Sequence, residues 1–154
     1  MSAYKFKSVG KTATINEVEA LQLSQIPFGI KTPLKLDDRN IFAMHYNAAD
    51  QIHDNLRNLL LTNWGERLGI YEFGANLKEL TSEFTSIDSF DEEAIARIRN
   101  TVSRWMPFVN LKNFSSTIDR EENQDVGILK ITITYDVLRL GVQNKALQIS
   151  MYVT

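Results

Sequence analysis

Apolar residues Ala49, Ile52, Leu56, Leu59 and Leu60 recur every three or four positions, while Asp50, Asp54, Arg57 and Asn58 fall on other faces. That spacing predicts an amphipathic helix over residues 47–61. A short helix with Leu77, Leu80 and Phe84 on one side follows a glycine-bearing stretch. A second long helix is expected over residues 90–106. Its buried stripe is Ala94, Ile95, Ile98, Val102 and Trp105, Ser89 and Glu92 stand at capping-box spacing, and Pro107 stops it. Beyond this point the period changes from helical to alternating. Residues 109–118 form a strand with a phase shift near Asn113 and Phe114, the mark of a bulge. In residues 127–138, Leu129, Ile131, Ile133, Tyr135 and Val137 point one way and Lys130, Thr132, Thr134 and Asp136 the other. Residues 146–154 alternate likewise, with Leu147, Ile149, Met151 and Val153 on the apolar face, and polar connections are expected between the strands. The prediction is an α+β fold: a small antiparallel sheet packed against two main helices. The chain ends inside its last strand, which makes that strand a candidate sheet edge.

Residues 1–46 lack such periodicity and hold much of the punctuation, including Gly10, Pro27, Gly29 and Pro33. They are read as an extended N-terminal arm preceding an α+β domain of residues 47–154. Pro27 and Pro33 bias their neighbours toward extended chain with a turn. Ile26, Pro27, Phe28, Ile30, Pro33 and Leu34 give the arm apolar contacts for a neighbouring molecule.

Composition narrows the function. With 17 Lys and Arg against 19 Asp and Glu, the net charge is −2. No basic field exists for nucleic acid. There is no cysteine, so disulfides and thiolate metal sites are excluded. No stretch is apolar enough to span a membrane. His45 and His53 do not form a metal-ligand spacing, and no cofactor motif is present. Glu66 and Glu72 are the one candidate acid–base pair. Nothing nearby promises the burial that would raise either pKa, so no enzyme is expected. Trp64, Tyr71, Phe73 and Trp105 are better suited to anchoring than to a ligand platform.

The string LLLTNWGERLGIYEFGANLKEL resembles the baseplate wedge and sheath-initiator family of contractile phage tails, which includes a type VI secretion baseplate component. The resemblance is carried by Leu60, Thr62, Gly65, Arg67, Phe73, Gly74, Leu77 and Leu80, and continues through the second long helix and the strands. One position departs. Many members carry Glu-Pro-Arg at the end of that helix, where this chain has Met106, Pro107 and Phe108; an apolar contact through Trp105, Met106 and Phe108 would replace the charged one. The resemblance implies a structural subunit of a virion tail baseplate, assembled in the host cytoplasm in several copies around a ring. It further implies that Trp64, Gly65, Glu66, Arg67, Phe73, Gly74, Trp105, Met106, Pro107 and Phe108 touch the helical core bundle of wedge proteins. The strand Leu147, Gln148, Ile149, Ser150, Met151, Tyr152 and Val153 would pair with the tail sheath protein, and a central hub or tube-proximal protein is a further candidate partner. Some relatives are labelled acidic lysozymes. That enzyme reading and a generic adaptor are the alternatives.

Overall fold

The computed structural model describes residues 26–38, 41–83, 87–120 and 127–153. Gly10, Phe84, Thr154 and the first 25 residues of the expected arm lie outside them. Helix α1 (Ala48–Leu61) begins at Asn47, whose side chain accepts the Ala49 amide at 2.9 Å. That is an N-cap bond. Helices α2 (Leu77–Glu83) and α3 (Ile87–Trp105) follow. Helix α3 is already formed at Ile87, so Ser89 lies inside the helix rather than capping it. The expected capping box is therefore incorrect. Acidic residues still crowd the start of α3, and one of them has a tertiary role: Asp91 accepts the Ser116 hydroxyl at 2.5 Å.

Three strands form an antiparallel sheet in the order β3 (Asn110–Arg120), β4 (Gly127–Val137), β5 (Val142–Val153). The register of β3 on β4 shifts between Leu111 and Asn113, where the sequence predicted a bulge. Leu129, Ile131, Ile133, Tyr135 and Val137 are all buried, as their alternation requires, together with Leu147 and Ile149 of β5. The helices close this face with Leu56, Leu59 and Leu60, with Leu77 and Leu80, and with Phe90, Ala94, Ile98 and Val102. The fold is α+β.

Strand β5 starts four residues earlier than its pattern suggested. Residues 138–141 make only a tight turn, closed by Gly141 at φ 66°. Strand pairing resumes at once, Val137 opposite Val142. Asn144 takes φ 50°, a conformation that asparagine tolerates better than most residues. Its amide donates to Asp136 at 2.7 Å, and Lys112 ion-pairs with the other carboxylate oxygen at 3.1 Å. Asp136 thus ties the β3 bulge to the β5 turn. The Asn144 amide and Lys112 hold its carboxyl below the usual range. The β4–β5 connection is also not polar: it exposes Leu138 and Leu140. Within the sheet β4 is central, and β3 and β5 are the edges.

Ahead of α1, β1 (Gly29–Ile30) pairs antiparallel with β2 (Met44–His45) as a separate two-stranded ribbon. This is the extended chain with a turn expected around Pro27 and Pro33. It is bonded to α1 through Asp54, which accepts the Thr32 amide at 2.8 Å and His45 Nε2 at 2.7 Å. Among the described residues no helix is long and apolar enough to cross a membrane.

Candidate interaction site

The loop between α1 and α2 is shaped by its own backbone. Gly65 sits at φ 80° and Gly74 at φ 112°. A Cβ on Gly74 would lie 2.1 Å from the Thr62 carbonyl oxygen, so only glycine fits there. The Gly65 amide donates to the Tyr71 carbonyl at 2.9 Å, and the Asn76 amide to the Thr62 carbonyl at 3.3 Å. Trp64 points its indole N–H at the Gly74 carbonyl, 3.1 Å away, and Thr101 of α3 donates to the same oxygen at 3.3 Å. Arg97 binds the Asn76 carbonyl at 3.0 Å and lies over the Trp64 ring. These contacts fasten the loop to α3.

On the other side of the loop, four side chains stack in a column. The Arg67 guanidinium lies 4.2 Å from the centre of the Phe73 ring. Phe73 meets Trp105 edge to face at 5.2 Å. Arg104 covers Trp105 at 5.2 Å and ion-pairs with Glu72 at 2.5 Å. Each exposed cation–π contact contributes about 0.5–1 kcal/mol. The column joins the loop to the end of α3, where Met106 to Val109 make a turn, the Val109 amide bonding to the Met106 carbonyl at 2.9 Å. Pro107 occupies the second position of that turn, which its fixed φ suits.

Beside the column runs an open groove of about 700 Å³, lined by Glu66, Arg67 and Phe73 of the loop, Trp105, Met106 and Phe108, Asn55, Asn58 and Leu59 of α1, and Thr62, which caps it. Six of the ten residues expected at one contact surface therefore meet in one place. Trp64, Gly65, Gly74 and Pro107 do not line it; they hold the loop and the turn in shape. Met106 is mostly core, whereas Phe108 is 41% exposed. The α1 residues were missed by sequence reasoning. Their available signal was a helix face with uncharged polar groups at positions 55 and 58. The residues expected to meet sheath form β5 at a sheet edge, with Gln148, Ser150 and Tyr152 exposed. Those expected in the arm contact include Ile26, Phe28 and Leu34, all exposed, and Ile30 is 40% exposed.

The groove has no poised acid. Both Glu66 oxygens accept from Asn63, its amide and its side chain each at 2.8 Å. Those bonds lower its pKa, the opposite of what a general acid needs. Glu72 is engaged by Arg104. No cluster of His, Asp or Glu among the described residues could hold a metal. The aromatic rings and the guanidinium that line the groove are side-chain types enriched at protein interfaces.

The described residues thus form an α+β body with an open groove on one side and with β3 and β5 at the edges of its sheet. The family model for baseplate wedge protein gp25 matches residues 47–140, more than half of the chain, and the chain belongs to that family. It is a baseplate wedge-type protein of contractile tail systems. A chain of the anti-feeding prophage baseplate, solved by cryo-electron microscopy, is similar to it at 20% identity and TM-score 0.58, over 70% of this chain and 82% of that one. A crystal structure of a candidate tail lysozyme from Geobacter sulfurreducens is similar at 26% identity and TM-score 0.53, over 70% of this chain and 93% of that one. No curated protein matches the sequence.

Proposed function

We propose that this chain is a non-catalytic structural subunit that joins the wedge proteins of a tail baseplate to the first ring of sheath. The groove takes the wedge partner, and the β5 edge offers its free backbone groups to a sheath strand. The exposed apolar residues of the arm lie on a neighbouring subunit, and several copies act around the ring. A tube-proximal or hub protein is a further candidate for the arm.

The observation that carries this reading is the groove built from three segments, 55–62, 66–73 and 105–108, the last far from the others in sequence. Phe108 stands outside the hydrophobic core, at the groove wall, with much of its surface exposed. Strand addition at β5 suits a ring: each main-chain bond nets about 1 kcal/mol, and repeated copies reinforce one another.

The test is incorporation. Phe108→Asp is expected to leave a folded monomer and to drop out of purified baseplates. Baseplates that retain the variant at the normal level would remove the groove from the wedge contact. The purified chain is also expected to release no soluble fragments from peptidoglycan. Turnover that disappears in Glu66→Gln or Glu72→Gln would restore the enzyme alternative.

A further inference from the structure

The donors and acceptors around the groove are unevenly used. Glu66 has both carboxylate oxygens turned to Asn63 and makes no ion pair with Arg67. Arg104, at the far end of the column, is neutralised by Glu72. Arg67 differs: among the described residues no carboxylate pairs with it, and its guanidinium is held only by stacking on Phe73. On the facing wall, Asn55 Oδ1 accepts from Gln51 at 2.8 Å, which leaves the Asn55 amide N–H groups unspent. Asn58 is turned to Thr32, its Nδ2 3.3 Å from the Thr32 hydroxyl. The groove therefore presents unspent donors from both walls, one of them cationic, above an apolar floor of Leu59, Phe73 and Trp105.

We propose that the groove reads a carboxylate: its occupant is an acidic amphipathic segment of another baseplate protein. An Asp or Glu of that segment binds the Arg67 guanidinium, and its apolar side packs on Phe73 and Phe108. The inference rests on the groove being the wedge contact. Charge complementarity selects the occupant, because a basic or purely apolar segment would leave the guanidinium unpaired under a covering chain, and an unpaired buried charge is costly. Stacking on Phe73 holds the planar fork in place before the partner arrives, so less freedom is lost on binding. A lysine could not stack and fork in the same way.

The exposure of Phe108 at the groove wall allows a direct test in intact particles. A benzoylphenylalanine replacing Phe108 is photo-crosslinked in assembled baseplates and the attached segment sequenced. Attachment is expected within about one helical turn of an Asp or Glu of a different protein. Arg67→Glu is expected to lower incorporation by about tenfold or more, the scale of a lost charge-assisted hydrogen bond. Changing that partner carboxylate to Lys is expected to restore incorporation. Arg67→Gln, which keeps the stem on Phe73 without the charge, should lose incorporation in the same direction and guards against misfolding of the reversed variant. Crosslinking to a segment without a carboxylate, crosslinking to another copy of this chain, normal incorporation of Arg67→Glu or Arg67→Gln, or failure of the charge swap would overturn the inference while leaving a groove contact standing. No crosslink in particles that contain the chain would remove the groove contact itself, and the inference with it.

Discussion

The body and the ribbon that precedes it are held by different forces. In the body, helices α1 to α3 bury leucines and isoleucines against one face of the sheet, and the central strand β4 has five successive core positions filled. In the ribbon, Ile26 is 86% exposed and Leu36 82%, and Ile41 and Phe28 also face outward. What fastens it is polar: the Thr32 amide and the His45 imidazole converging on Asp54, together with the ribbon's backbone bonds. Burial of one leucine stabilises by about 1.5–3 kcal/mol, whereas an intramolecular hydrogen bond nets about 1 kcal/mol. The body is thus held by its own apolar core. The ribbon is pinned through a few polar contacts and keeps its apolar surface available to a partner.

Core substitution should separate the two regions most sharply. Leu60→Ala is expected to destabilise the body by about 2–5 kcal/mol, and Leu36→Ala in the ribbon by less than about 0.5 kcal/mol. Denaturant unfolding measures both; similar losses would mean that the ribbon belongs to the core. Next in size is Asp54→Asn. It should raise hydrogen exchange at the Thr32 amide by roughly tenfold or more, as loss of a charge-assisted bond predicts, with slow exchange in β4 unchanged. A protected Thr32 amide in that variant would show that some other contact pins the ribbon.

The two regions should also part company with pH. The Thr32 amide and His45 hold the Asp54 carboxyl below its ordinary value, outweighing its partial burial. A depressed folded pKa stabilises above the unfolded value and loses that contribution as pH falls through the folded one, so the ribbon should loosen from about pH 4 downward. At the alkaline end the body yields. Burial pushes the Tyr135 hydroxyl up to about 12. A raised folded pKa gives stability that is full below the unfolded value, about 10, and is lost as pH rises through the folded one. Phenolate absorbance measured alongside circular dichroism should show Tyr135 ionising late or only with unfolding. The smallest effect on stability is expected for Arg67→Ala, within about 0.5 kcal/mol, although incorporation into baseplates should fall.

The body was legible in the sequence wherever one face of an element is buried. Alternation along Leu129 to Val137 and helical spacing in α1 follow directly from period, so the α+β fold and its core are readable from the order of apolar and polar residues alone. The start of β5 is not. Gln143, Asn144 and Lys145 continue the strand without adding to the buried face, so no apolar alternation marks them. The start of α3 was misplaced because a serine and a glutamate at capping spacing occur inside helices as well as before them. In the groove, Arg67, Phe73, Trp105 and Phe108 stood out through a family resemblance. Asn55 and Asn58 join them only through the tertiary packing that sets α1 opposite the loop. The polar clasp on Asp54 joins residues 22 and 9 positions apart, and short-range periodicity carries no sign of it.

Hydrogen exchange compared between the free chain and assembled baseplates bears most directly on the bridging role. New protection is expected in three places: the ribbon, the loop and turn that line the groove, and the half of the β5 amides that point away from β4. Slow exchange in β4 should be the same in both states. Protection of the groove without β5 would contradict a bridge to sheath, and unchanged exchange in all three regions would contradict assembly through any of these surfaces.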